Sequence, residues 1–229
     1  METEMRSDKE LVIRPDRIEA KSMKIIEEEL EMRGISIPPE NAPVVRRVIH
    51  TTADFDYAIN LVFSPGAVEK GIAALLQKKH LVTDTNMAKA GISAPGLKRL
   101  DSQAVCYMAD PAVAFEAGKA GTTRAAVSMD HAVRHNPDAV YVIGNAPTAL
   151  FSLADQIREG RARPSLVIGV PVGFVNVVEA KEEMIRCCGH YGIPYIVARG
   201  RKGGSTVAAA ICNALIYEAA GMTDPRKRL

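Results

Sequence analysis

Five short runs, each almost continuously apolar, constrain this chain more than any other feature: residues 80–84 (HLVTD), 103–107 (QAVCY), 139–143 (AVYVI), 165–170 (SLVIGV) and 195–199 (YIVAR). A strand with one wet face alternates apolar and polar residues, whereas a strand covered on both faces has no side left for polar ones. These runs therefore predict buried parallel strands. Segments of helical length separate or follow them, at 66–79, 111–119, 123–135, 146–159, 177–188 and 205–219. Right-handed crossovers then place helices on both faces of an open, mostly parallel sheet of about five strands. In such α/β folds the ligand crevice lies at the carboxyl ends of the strands.

Two helices are predicted before the sheet. Met23, Ile26 and Leu30 form one apolar face, with Gly34 as the stop. Pro43 suits a first turn, and Val44, Val45, Val48 and Ile49 make the next stripe. Arg46, Arg47 and His50 fall late in that helix, where cations complement the dipole. Further on, Asn176 and Glu179 have the spacing of a capping box. Ser22 reads locally as a cap at the start of a helical turn.

Composition excludes several function classes. Lys and Arg total 29 against 27 Asp and Glu, so no global basic field invites nucleic acid. Aromatics are 5% of residues with no Trp, too few for a base-stacking platform. Cys106, Cys187, Cys188 and Cys212 have no CxxC or Cys/His spacing, so no zinc site is expected and they read as reduced, mostly buried thiols. His131 and His135 share a helix face but lack a third ligand, and packing or solvated roles are expected for them. No stretch approaches the ~18 apolar residues of a membrane span, and METEMRSDKE carries no leader-like segment, so a cytoplasmic protein is expected. The expected organisation is one domain over residues 1–229, with an N-terminal arm at 1–15 and a solvated basic tail at 222–229.

The strand ends carry the chemistry. After the runs come 84–87 (DTNM), 144–148 (GNAPT), 171–176 (PVGFVN) and 199–205 (RGRKGGS). Glycines let a ligand approach the backbone, and free N–H groups at helix starts bind anionic oxygens. The last segment adds Arg199, Arg201 and Lys202 to a Gly-Gly-Ser helix start, a local anion receptor. It is not a Walker loop, because Gly203 and Gly204 separate Lys202 from Ser205. No glycine-rich turn follows the first run, so no dinucleotide cofactor is expected.

Five ordered strings go further. RRVIH at 46–50, LVFSPGAV at 61–68, IGNAPTALF at 143–151, GVPVGFV at 169–175 and ARGRKGGSTVAAA at 198–210 make this chain resemble the precorrin-8X methylmutases and their cobalt-precorrin-8 counterparts, across about residues 22–215. Weaker agreement runs through SMKIIEEEL at 22, DTNM at 84 and GTTRAA at 121. The resemblance implies an α/β homodimer with sites at the subunit interface, and an isomerase of cobalamin biosynthesis. Its reaction moves a methyl group from C11 to C12 of a corrinoid ring by a 1,5-sigmatropic shift, with no redox cofactor or methyl donor. It places the family's catalytic histidine at His50, a group that can give and regain a proton near neutrality. It also carries Ser22, Arg47 and Arg124 to positions that contact the substrate. The chemistry of the strand ends adds Thr85, Arg199, Arg201 and Ser205, since Arg grips carboxylates through two parallel hydrogen bonds. A non-catalytic corrinoid carrier is the alternative, and the intact VIH string weighs against it.

Overall fold

The computed structural model describes residues 15–228. Two helices, α1 (Pro15–Met32) and α2 (Ala42–Thr52), lead through the single turn α3 (Tyr57–Asn60) to β1 (Leu61–Phe63) and α4 (Ala67–Leu76). Then come β2 (Leu81–Thr83), the short helices α5 (Asn86–Gly91) and α6 (Ala94–Arg99), β3 (Ala104–Val105), α7 (Pro111–Ala120) and α8 (Arg124–His135). Three βα units follow: β4 (Val140–Ile143) with α9 (Pro147–Arg158), β5 (Leu166–Gly169) with α10 (Val177–Tyr191), and β6 (Tyr195–Ala198) with α11 (Ser205–Ala219). A 3₁₀ turn, Pro225–Arg228, follows. Of the expected N-terminal arm, all but Pro15 lies outside the described residues.

The α/β architecture is as the sequence implies. The sheet order is β1-β6-β5-β4-β2-β3, and every pairing among β2 to β6 is parallel. A sixth strand was not anticipated. β1 pairs antiparallel with β6, Leu61 opposite Ala198 and Phe63 opposite Ile196, and is too short and too near the edge to show a pattern. Alternation splits the strand residues between two cores. Val140, Val142, Leu166, Ile168, Ile196 and Ala198 face the layer built from α1, α2, α4, α5, α6 and α11. Tyr141, Ile143 and Val167 face α8, α9 and α10 on the other side.

Helix α11 is the centre of the first layer, lying against α2, α4, α5 and the sheet. Its run Val207–Cys212 is buried all round, and its small residues set the spacing. A Cβ at Gly91 would come within 2.8 Å of the Ala209 methyl, and one at Gly144 within 2.9 Å of the Ala208 methyl. Both contacts are closer than carbon atoms tolerate, so glycine on one element and alanine on the other are a matched pair.

Two local readings change. Asn176 precedes α10 with φ +59 and makes no side-chain cap, so the Asn176–Glu179 capping box does not form: a left-handed Asn cannot aim its side chain at the first-turn N–H groups. The basic tail is not simply solvated either. Arg228 donates to Glu19 on α1 and to the carbonyls of Met222 and Thr223, because the turn folds back onto α1.

Strand order reverses between β2 and β4, the point where folds of this kind open a crevice. Here Asp84 fills it. Its carboxylate is fully buried and accepts from the backbone N–H groups of Gly144, Asn145 and Ala146 at 2.8, 2.8 and 2.7 Å, tying the end of β2 to the start of α9. Asp84→Asn replaces one acceptor oxygen with an NH₂ aimed at N–H donors. It is expected to lower stability by about 1–3 kcal/mol, read as a lower urea midpoint with an unchanged slope.

Candidate active site

Helices α1 and α2 meet along a ladder of three polar pairs, the outermost being Glu27 with Arg46 at 2.6 Å. Ser22 Oγ lies 2.8 Å from His50 Nδ1, and Arg47 Nη2 donates to Glu19 at 2.7 Å. Glu19 and Ser22 are three residues apart, as are Arg47 and His50, so each pair occupies one face of its helix across one turn. Ser22 therefore caps nothing; it sits inside α1 because that helix begins earlier than its side-chain pattern suggested. A cation ring extends the ladder. Glu19 also accepts from Arg228 Nη1, and the Arg47 and Arg228 guanidinium groups stand 5.2 and 4.1 Å from the centre of the Tyr217 ring. Burial raises the Glu19 carboxyl, but hydrogen bonds from both arginines outweigh it and hold the group below its ordinary value.

His50 opens on two cavities. The larger, about 600 Å³, is walled by Ile18, Ile25, Ile26, Ile49 and Phe55, with Lys21, Ser22, Glu29 and Arg33 among its polar groups. The smaller, about 360 Å³, is lined by Arg47, Thr51, Met87, Ser205, Thr206, Asn213 and Tyr217. The imidazole thus stands where an apolar lobe meets a polar one. Burial, and after it the positive field of Arg47, lower its pKa below the ordinary 6.5 against the opposing pull of Glu19.

The strand-end loops supply the wall opposite α2. Thr85 caps α5, accepting from Ala88 N at 3.0 Å, and its hydroxyl is 2.8 Å from Ser205 Oγ, which joins the ends of β2 and β6. Gly203 permits the close turn there. A Cβ at that position would lie 2.2 Å from the Val170 carbonyl oxygen. The fully buried Lys181 reaches under the loop, donating to the carbonyls of Gly200 and Lys202 at 2.8 Å each, and burial lowers its ammonium to about 8.

The structure brings Ser22, Arg47, His50 and Ser205 to one place, with Thr85 directly behind Ser205. The remaining arginines are elsewhere. Arg199 pairs with Glu182 at 3.1 Å, Arg201 lies 5.5 Å from the centre of the Phe174 ring, and Arg124 is exposed at the start of α8. None of the three lines either cavity beside His50. Lys202 is not a free cation of the anion loop: Asp54 and Asp56, beyond α2, each hold its ammonium at 2.6 Å. Glu19, Tyr217 and Arg228 went unnoticed in the sequence. Glu19 showed a signal, its three-residue spacing from Ser22 matching that of Arg47 from His50, whereas Tyr217 and Arg228 join only through folding. His131 pairs with Glu116 at 3.0 Å and His135 stacks on Tyr107, both packing roles. Among the described residues no group of three His, Cys, Asp or Glu could hold a metal ion, and no helix is long and apolar enough to cross a membrane.

The chain is a doubly layered α/β domain, of a class that carries enzyme sites, with a histidine standing between an apolar and a polar lobe. Comparison with known proteins is specific. The family model for precorrin-8X methylmutase matches residues 17–218. A cobalt-precorrin-8 methylmutase of Priestia megaterium is 41% identical over 207 residues, covering 90% of this chain and 89% of that protein. A precorrin-8X methylmutase of Pseudomonas aeruginosa is 39% identical over 197 residues, covering 86% and 92%. The crystal structure of a precorrin-8X methylmutase from Thermus thermophilus superposes with a TM-score of 0.78 at 40% identity, covering 89% of this chain and 98% of that one. This chain belongs to the precorrin-8X methylmutase family, and it is an isomerase.

The depressed pKa of His50 has a definite sign in stability. The unfolded chain takes up the proton near 6.5 and the folded chain only at lower pH, so the contribution is intact above 6.5 and is lost as pH falls through the folded value. Urea unfolding between pH 7.5 and pH 5 is expected to show stability falling with acidification, and His50→Gln to flatten that fall.

Proposed function

We propose that this chain moves a methyl group from C11 to C12 of precorrin-8X or of cobalt-precorrin-8, giving hydrogenobyrinic or cobyrinic acid, with His50 as the proton donor and acceptor. The observation that carries this reading is the Ser22–His50 pair at the junction of the two lobes. A corrinoid is an apolar macrocycle edged with acetate and propionate carboxylates. The isoleucine-rich lobe suits the ring, and the lobe with Arg47 and Ser205 suits its edge. With Nδ1 engaged by Ser22, Nε2 is the nitrogen left for the substrate. A proton passed from His50 to the conjugated ring polarises it and eases the methyl shift, and the same nitrogen recovers the proton afterwards. The methyl group stays within one molecule, so atoms and electrons balance without a co-reactant.

The binding carboxylates also bear on the proton. The substrate's negative edge opposes the field of Arg47 and raises His50 on binding, so protonation is coupled to occupancy. In this reading Ser205, backed by Thr85, forms the strand-end part of the carboxylate shell, and Arg199 and Arg201, which line neither lobe of their own chain, join it across a subunit interface. Arg124 lies away from both lobes of its own chain. A cytoplasmic homodimer, in which each site is completed by the neighbouring subunit, accounts for it. Exposed apolar residues support such an interface: Phe115, Phe174 and Val175 are 73%, 83% and 76% accessible.

His50→Ala is expected to fold and to bind product, but to lose roughly 10²–10⁴ in turnover of precorrin-8, followed by absorbance. Wild-type turnover by the folded variant would remove His50 from the reaction, and a purely stoichiometric spectral change with unsubstituted protein would indicate a carrier. Arg201→Ala and Arg124→Ala should do the reverse of His50→Ala, weakening hydrogenobyrinic acid more than they slow saturated turnover, because substrate and product share their peripheral carboxylates. The loss should be larger at low salt. Unchanged affinity in both would place these arginines outside the shell. Light scattering should give a mass near twice 24.7 kDa.

A further inference from the structure

Arg228 is remote in sequence from His50, yet its guanidinium is almost fully committed beside it. Nε donates to the Met222 carbonyl at 2.9 Å, Nη2 to the Thr223 carbonyl at 2.7 Å, and Nη1 to both oxygens of Glu19 at 2.9 and 2.7 Å. A surface cation that merely neutralised a carboxylate would not spend its other donors on two carbonyls of its own turn. The arrangement fixes the 3₁₀ turn first, and the turn then presents Nη1 to α1. The Arg228 side chain is 13% accessible and that of Glu19 19%, so the pair is largely shielded from water and salt.

Glu19 is one helical turn from Ser22. Glu19, anchored between Arg228 and Arg47, fixes α1 on α2 one turn before Ser22, on the other side of which Glu27 pairs with Arg46 at 2.6 Å. We infer that Glu19 and Arg228 are positioning residues, a clip through which the C-terminal turn holds Ser22 on His50 and so selects the ring nitrogen presented to the substrate. Neither residue need touch the substrate. The inference rests on the reading of His50 as the proton carrier only for its effect on rate; its effect on the ring of His50 stands apart.

The charged and titratable groups facing His50 are Arg47 from α2, Glu19, Lys21 and Glu29 from α1, Arg33 just beyond it, Tyr217 from α11 and Arg228 from the turn. Removing Arg228 takes away a cation that opposes protonation of His50, so the His50 inflection should rise. Removing the Glu19 charge should lower it. Opposite signs distinguish this network from general damage, which would move both variants alike.

The experiment is nitrogen and proton NMR of the histidine rings in the full chain without substrate, with the His50 signals identified among those of the five histidines by their loss in His50→Gln. A serine hydroxyl can donate to Nδ1 or accept from it, so the readout is the change in the His50 ring-nitrogen shifts that Ser22→Ala produces, whichever tautomer the wild type holds. Glu19→Gln and Arg228→Met should produce the same change although Ser22 is intact. They should also move the His50 inflection, down and up respectively. Arg228→Lys keeps the charge without the fork; it should leave the inflection near wild type while still giving the Ser22→Ala change, and it serves if Arg228→Met does not fold. Wild-type ring-nitrogen shifts and inflection in folded Glu19→Gln and in a folded Arg228 variant would overturn the inference. The Ser22→Ala change with unchanged kcat/KM would leave the clip standing and overturn the role of His50 in proton transfer.

Discussion

A single buried carboxylate organises the carboxyl edge of the sheet. Asp84 accepts three backbone N–H groups from the start of α9, and no water could replace it there without leaving donors unmatched. The next residue, Thr85, caps α5 and touches Ser205, so the strand-end loops of β2, β4 and β6 form one connected piece. Lys181 beneath and Lys202 across to Asp54 and Asp56 complete the frame. By filling the crevice at the reversal of strand order, Asp84 also moves the cavity sideways, to the seam between α11, α5 and the two N-terminal helices.

That seam explains why the candidate site's histidine comes from outside the parallel sheet. Helices α1 and α2 precede the first strand, and their ladder of Glu19–Arg47 and Ser22–His50 is local to them. The sheet supplies the opposite wall through Ser205 and Thr206 of α11. The candidate site therefore combines a helix pair, which holds Ser22 on His50, with a loop frame tied by Thr85, Ser205 and Lys181.

Much of the sheet was legible in the sequence because β2, β4, β5 and β6 are buried on both faces and lose all alternation; β1, three residues at an edge, has no such mark. Periodicity placed Val44, Val45, Val48 and Ile49 correctly in the core, whereas His50 was singled out only by the family resemblance. The VIH string and its neighbours identified the family, which the comparisons bear out. What stayed hidden depended on pairing across long stretches of chain: Arg228 with Glu19, Lys202 with Asp54, Asp84 with the Gly144 turn. Those partners are chosen by the tertiary fold, and no local spacing records them. The Asn176 cap failed for the converse reason, since the spacing was right but the backbone turned left-handed.

The antiparallel pairing of β1 with β6 has a consequence for how the protein comes into being. A nascent chain emerges with α1, α2 and β1 first, yet β1 has no partner until Tyr195–Ala198 has been made, and the helix that walls the polar lobe comes later still. For most of synthesis the apolar stripe of α2, with His50 at its end, has neither α11 nor the docked turn to cover it. The polar lobe is thus the last part of the candidate site to be enclosed, and a chain stalled before α11 would carry His50 beside the apolar lobe of α1 and α2 with no wall opposite it.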